Sequence, residues 1–176
     1  MNNYPTLIWL LPIVFMIHDF EEIIFFKSWI SKNKAYLIEN FPKFSKLLHF
    51  ADNLSTPAFA LAVSVLFILL SLITFISVIS DNYLLWLAAF MGFFLHLLVH
   101  LAQWIIVKRY IPAIYTTFFA LIYCIYTLYA INTNNLFQIS EIVLWTIIGL
   151  LFLAVFFLFA HKLAEFIDRK WKNKTV

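Results

Sequence analysis

The 176-residue chain is 64% hydrophobic and only 12% charged, with a mean hydropathy of +0.93. An ordinary soluble domain is about 45–50% apolar and about 25% charged, so composition excludes that class. The net charge of +3 sits in lysines beside apolar blocks, which points to anionic lipid and away from nucleic acid, and the lone Cys124 excludes a disulfide framework.

Five apolar blocks follow in chain order, at about 6–26, 55–79, 83–107, 111–131 and 140–160, each with the roughly 20 residues a helix needs to cross a bilayer. None shows the apolar/polar alternation of a lipid-facing strand. The expected fold is all-α: a polytopic membrane helix bundle of five transmembrane helices, in one domain over 1–176. The first block lacks a basic leader and a small-residue cleavage site, so it is expected to be retained. Between the first two blocks, "KSWISKNKAYLIENFPKFSKLLHFADN" mixes lysines with aromatic residues. It reads as an amphipathic segment lying in the interface over about 28–54, broken near Pro42.

The basic residues set the expected orientation. Lys27, Lys32, Lys34, Lys43 and Lys46 follow the first block, Lys108 and Arg109 the third, and Lys162, Arg169, Lys170, Lys172 and Lys174 the fifth. With five spans all 12 basic residues fall on one side, which the positive-inside rule makes cytoplasmic. The N-terminus is then outside and the C-terminus cytoplasmic, in a multi-pass protein of the cell membrane with anionic lipids at its cytoplasmic face.

Within the first block, "HDFEE" places His18, Asp19, Glu21 and Glu22 in an apolar run. The apolar residues of that block contribute roughly −4 to −8 kcal/mol on the biological insertion scale, where each central charge costs about +2.5 to +3.5. Three ionised carboxylates would cancel most of that gain, so the motif is expected to face other helices and not lipid. On a helix His18 and Glu22 lie about 40° apart and Glu21 about 60° to the other side, while Asp19, about 100° from His18, stands at the margin.

The third block carries a matching stripe. Ala89, Gly92, His96, His100 and Gln103 point within about 40° of a common direction, and small residues there would let another backbone approach. His18 lies nine residues before Lys27, and His96 and His100 lie twelve and eight before Lys108, so the depths agree. If the two helices are neighbours, His18, Glu22, His96 and His100 make a ligand set for a divalent metal, zinc or iron. Glu21 is then a general base or an outer-shell partner, with Gln103 on the same stripe as a supporting or substrate-contacting residue. The alternative is hydrogen bonding among these groups without a metal. The second and fourth blocks carry milder polar stripes. They fit small-residue packing, with Tyr123 of the fourth block a candidate to point into a substrate cavity.

"HDFEE" resembles the signature of the HXXEE family of bacterial membrane proteins, which is also described by a further histidine and a Y-X-P-G motif. "YIPA", at 110–113, is similar to the latter and makes Tyr110 a candidate supporting residue. Alanine replaces its final glycine, which opens the question of whether that position needs a positive φ. Either His96 or His100 fits the further histidine. The resemblance implies no activity.

The chemistry of the cluster points first to a metal-dependent membrane enzyme acting on a lipid or other apolar substrate. Zinc would support hydrolysis and iron oxidation. The histidines are too few for a histidine-rich di-iron membrane hydroxylase, which places hydrolysis slightly ahead. A proton- or ion-coupled carrier using the cluster as its relay is the alternative, against which stand the small size, the odd span number and the lack of an inverted repeat. A non-catalytic accessory or immunity-type membrane protein is the third reading.

Overall fold

The computed structural model describes residues 4–172; residues 1–3 and 173–176, with Lys174 of the basic set, lie outside the described residues. The described chain forms α1 (Tyr4–Asn40), a 3-10 turn (Pro42–Phe44), α2 (Ser45–Asn53), α3 (Thr56–Ser80), α4 (Leu84–Val107), α5 (Ile114–Thr133) and α6 (Ile139–Lys172). Among the described residues there is no strand.

Four helices, α3, α4, α5 and α6, are long and apolar enough to cross a membrane. They expose large aliphatic and aromatic side chains along their length, among them Ile68, Ile76, Phe119, Ile122, Leu151 and Val155. A contiguous apolar surface of that kind is the mark of a membrane protein. α1 falls outside this group because His18, Asp19, Glu21 and Glu22 interrupt its apolar run.

The expected separate interfacial segment is corrected in its first half. α1 runs unbroken for 37 residues, about 55 Å at 1.5 Å per residue, because nothing between Phe26 and Asn40 stops a helix. It ends where Phe41, held at φ −134 by the following Pro42, leaves the helical region. α6 also outruns its block, continuing past 160 to Lys172.

The helices form a ring. α1 packs against α3 and α5, and α4 packs against the same two, so α1 and α4 face one another across the diagonal with few direct backbone approaches. α6 lies outside the ring against α4 and α3. The core on the α1 N-terminal side centres on Leu11, Leu87 and Phe90, with Trp86 stacked on Phe90 at 5.1 Å.

One polar contact in that core follows from a proline. Pro12 has no N–H to give the carbonyl of Ile8 one turn earlier, and Trp86 Nε1 donates to that carbonyl instead, at 3.2 Å. Nearby, Tyr123 Oη donates to Leu7 O at 2.9 Å, tying α5 to the same stretch of α1.

The stripe expected on α4 does not face one partner. Gly92 meets α6, where a Cβ would stand 3.0 Å from Gly149 O. Gly149 is tighter still, with Ala88 O 2.4 Å and Gly92 N 2.9 Å from the position of a Cβ. The chain's 2 glycines thus make one backbone-to-backbone crossing of α4 and α6.

The basic clusters gather at one end of the bundle. Tyr36 Oη donates to Val107 O at 3.2 Å, and the Arg109 guanidinium lies 3.6 Å over the Tyr36 ring. Lys34 pairs with Asp52 at 2.6 Å and holds that carboxyl below the usual carboxylate range. Asp168, buried on α6, accepts Ser55 N at 3.0 Å and the Ser55 hydroxyl, which fixes the residue that caps α3.

Candidate metal centre

His18 of α1 is fully buried and reaches across the diagonal towards α4. Its Nε2 lies 3.4 Å from His96 Nε2, which lies 3.0 Å from His100 Nε2. The one-turn spacing of His96 and His100 stacks both on the same side of α4. The three rings stand at 77–89° to one another with centroids 4.5–5.3 Å apart, and a donor nitrogen of each lies within 4.8 Å of the others. Phe93 packs edge-on against His18, and Phe15 packs in turn against Phe93, on the α1 N-terminal side of the cluster.

Hydrogen bonding alone accounts poorly for this geometry. An imidazole nitrogen has one in-plane lone pair or one N–H, so His96 Nε2 can satisfy only one of its two nitrogen neighbours well. A cation among them would take a lone pair from each ring, with two donor separations at 3.4 and 3.0 Å and the third within 4.8 Å. Two bonds of about 2.05 Å at the tetrahedral angle separate their donors by about 3.3 Å, and the observed 3.0 and 3.4 Å separations bracket that edge.

The far side of His18 is organised by Glu21. Glu21 Oε2 accepts Thr116 N at 2.8 Å and Thr116 Oγ1 at 2.7 Å, while Oε1 accepts Tyr110 Oη at 2.8 Å. Thr116 Oγ1 also lies 3.4 Å from His18 Nδ1. The threonine has one proton, and its shortest contact directs that proton to Glu21. Its lone pair is then left for His18 Nδ1–H, and His18 Nε2 stays unprotonated, facing the other histidines. His100 Nδ1 is buried with no partner among the described residues.

Glu21 also caps α5. Ala113, the residue preceding that helix, has no side chain able to hold the first-turn N–H groups. The Glu21 carboxylate reaches over from α1 to take Thr116 N and sets its charge against the helix N-terminus. Burial and this carboxylate raise the Tyr110 phenol above its ordinary pKa, which keeps it a donor. Trp29 Nε1 donates to Tyr110 O at 2.5 Å and fixes the loop from the other side.

The candidate residues therefore separate. His18, His96 and His100 converge. Glu22 joins a second group with Asp19 and His96, again with one donor atom from each within 4.8 Å. Asp19, set at the margin by helical angle alone, is 4% exposed and belongs to that group. Glu21 has both oxygens engaged, which fits an outer-shell partner better than a free general base. Tyr110 supports Glu21. Tyr123 contacts Leu7 in the far half of α1 and does not line the cluster, and Gln103 is exposed and in neither group. Thr116 is the residue that helical spacing missed as a link, because its role depends on how α5 docks against α1.

The family described as proteins of unknown function with an HXXEE motif matches residues 9–127. The chain belongs to the HXXEE family. No curated protein and no solved structure matches it. The matched region runs from α1 through most of α5 and so holds every histidine and carboxylate of the cluster, whereas α6 lies beyond it. In this member of the HXXEE family the final position of "YIPA" does require a positive φ. Ala113 sits at φ 70 and ψ 1, fully buried, and carries a Cβ in the left-handed region. Restoring glycine with Ala113→Gly is expected to stabilise the protein by about 1 kcal/mol, read as a higher thermal midpoint in detergent. An unchanged or lower midpoint would show that the loop carries no such strain.

Proposed function

We propose that this HXXEE protein is a metal-dependent enzyme of the cell membrane that acts on a lipid or similarly apolar substrate, with hydrolysis slightly ahead of oxidation. The observation that carries the reading is the convergence of His18, His96 and His100 Nε2 across the bundle diagonal, with His18 oriented from behind by Thr116 and Glu21. A divalent ion held there, zinc or iron, supplies Lewis acidity and brings the pKa of a water towards neutrality. The chain's own residues fix the ligand tautomer and exclude bulk water with Phe15 and Phe93. They leave His96 and Glu22 only half-buried, so an apolar molecule has a side from which to approach.

In this reading α1 is a fifth crossing, with its N-terminus outside and the C-terminus of α6 in the cytoplasm. The contacts of Tyr36 with Val107 and of Ser55 with Asp168 support it, because they draw the three basic clusters to one end. That end faces anionic lipid, and the cluster lies in the nearer half of the bilayer.

Elemental analysis of the purified protein in detergent tests the metal. Stoichiometric zinc or iron is expected, lost in His100→Ala. Absence of stoichiometric metal, with His100→Ala indistinguishable from the parent, would overturn the proposal.

A further inference from the structure

Glu21 spends both of its oxygens on three donors, yet its neighbours Asp19 and Glu22 have no hydrogen-bond or ion-pair partner among the described residues. Asp19 is 4% exposed, and Glu22 is half-buried beside it. Two adjacent carboxylates, one buried and one half-buried, with no donor and no cation among the described residues, are costly: each loses part of its solvation and each repels the other's charge. Buried charges are normally paired, hydrogen-bonded or bound to metal. No lysine or arginine forms an ion pair with either among the described residues.

The donors beside them point to what is missing. Asp19, Glu22 and His96 each offer one ligand atom within 4.8 Å of the others, as His18, His96 and His100 do. The two groups share His96, which would ligate both ions as the imidazolate, one ring nitrogen to each, with its N–H proton released to solvent when the second ion binds. They do not merge into one set, since Asp19 and Glu22 do not group with His18 and His100. Three nitrogens already make a tetrahedral set with one open position, so one ion leaves the two carboxylates unaccounted for.

We propose that the centre binds two divalent cations: one on His18, His96 and His100, and a second on Asp19, Glu22 and the shared His96. This rests on the reading of the histidines as ligands. The second cation neutralises the Asp19–Glu22 pair and makes the HXXEE helix the source of ligands to both ions, from the first histidine and the last glutamate of the motif. The middle glutamate, Glu21, serves neither ion directly and holds His18 and α5 in place.

The test uses the full chain in detergent, stripped with a chelator, reloaded separately with Zn²⁺ or Mn²⁺, freed of excess ion and measured for metal per chain. Two ions are expected, falling to one in Asp19→Asn and in Glu22→Gln, with elution volume and helicity unchanged. One ion in the parent, unaltered by either substitution, would overturn the second site and leave the histidine triad standing. Two ions retained in both variants would overturn the assignment of its ligands. No ion at all would remove the triad as well. Should the variants fail to fold, the electron paramagnetic resonance spectrum of the Mn²⁺-loaded parent decides. A spin-coupled pair supports two adjacent ions, and isolated Mn²⁺ overturns them.

Discussion

Replacing His96 with alanine is expected to empty the centre more completely than any other single substitution. His96 is the one donor common to both ligand groups, and its Nε2 is the near neighbour of both His18 and His100. Its removal takes one of three ligands from the nitrogen set and one of three from the carboxylate set. Outer-shell partners of metal ligands are worth roughly 10–100-fold in affinity, and the loss of a shared ligand should exceed that range. Thr116→Val supplies the comparison. It keeps the shape of the side chain but removes the hydroxyl between His18 Nδ1 and Glu21, so affinity should fall within the 10–100-fold range and no further. Metal affinity by competition with a chromophoric chelator orders the two variants. Equal retention of metal by His96→Ala and the parent would contradict the geometry of the cluster.

The second large effect lies away from the centre. Gly149→Ala should destabilise the bundle by about 2 kcal/mol, and Gly92→Ala by less. Alanine gains about 1 kcal/mol over glycine in a helix interior, so the crossing must cost more than that to reverse the sign. At Gly149 it does, because the added Cβ would stand 2.4 Å from Ala88 O and 2.9 Å from Gly92 N. Both are backbone atoms that cannot rotate away. Separating the helices gives up close packing, typically at about 1–3 kcal/mol and sometimes more. At Gly92 the nearest atom is Gly149 O at 3.0 Å, a strain that a small shift relieves. Thermal midpoints in one detergent measure both variants. Because Gly92 is one turn from His96, a displaced α4 should also weaken metal binding in Gly149→Ala. A midpoint at or above the parent's would show that α6 does not press on α4 as described.

Much of the fold was legible because apolar block length is a direct demand of the bilayer, and α3 and α4 begin and end within about two residues of the blocks read for them. Helix ends set by stop signals were less visible. α1 and α6 run on into polar sequence because lysine, asparagine and glutamate tolerate a helix, and only Phe41 before Pro42 halts α1.

The site was legible where it rests on angle within one helix and obscure where it depends on how helices are arranged. The i,i+4 pairs gave His18 with Glu22 and His96 with His100, and depth matched the two helices. Spacing does not reveal that α1 and α4 face each other across a diagonal, with α3 and α5 between them. Across that wider gap a residue at the edge of the polar face still contributes, which is why Asp19 belongs to the cluster. The same limit hid the partner of Gly92, which is Gly149 on α6 and not the HXXEE helix. Ala113 shows a third kind of limit. Alanine carries no sign of a left-handed backbone, and only the loop's closure onto Glu21 and Thr116 imposes it.

X-ray absorption at the edge of the bound metal reads the ligands themselves and not merely the metal content. Protein loaded with Zn²⁺ to one equivalent should show imidazole scattering from three nitrogens at about 2.0–2.1 Å. That pattern should shrink in His18→Ala, His96→Ala and His100→Ala. A first shell of oxygens without imidazole scattering, unchanged across those variants, would place the metal away from His18, His96 and His100 and overturn their assignment as ligands.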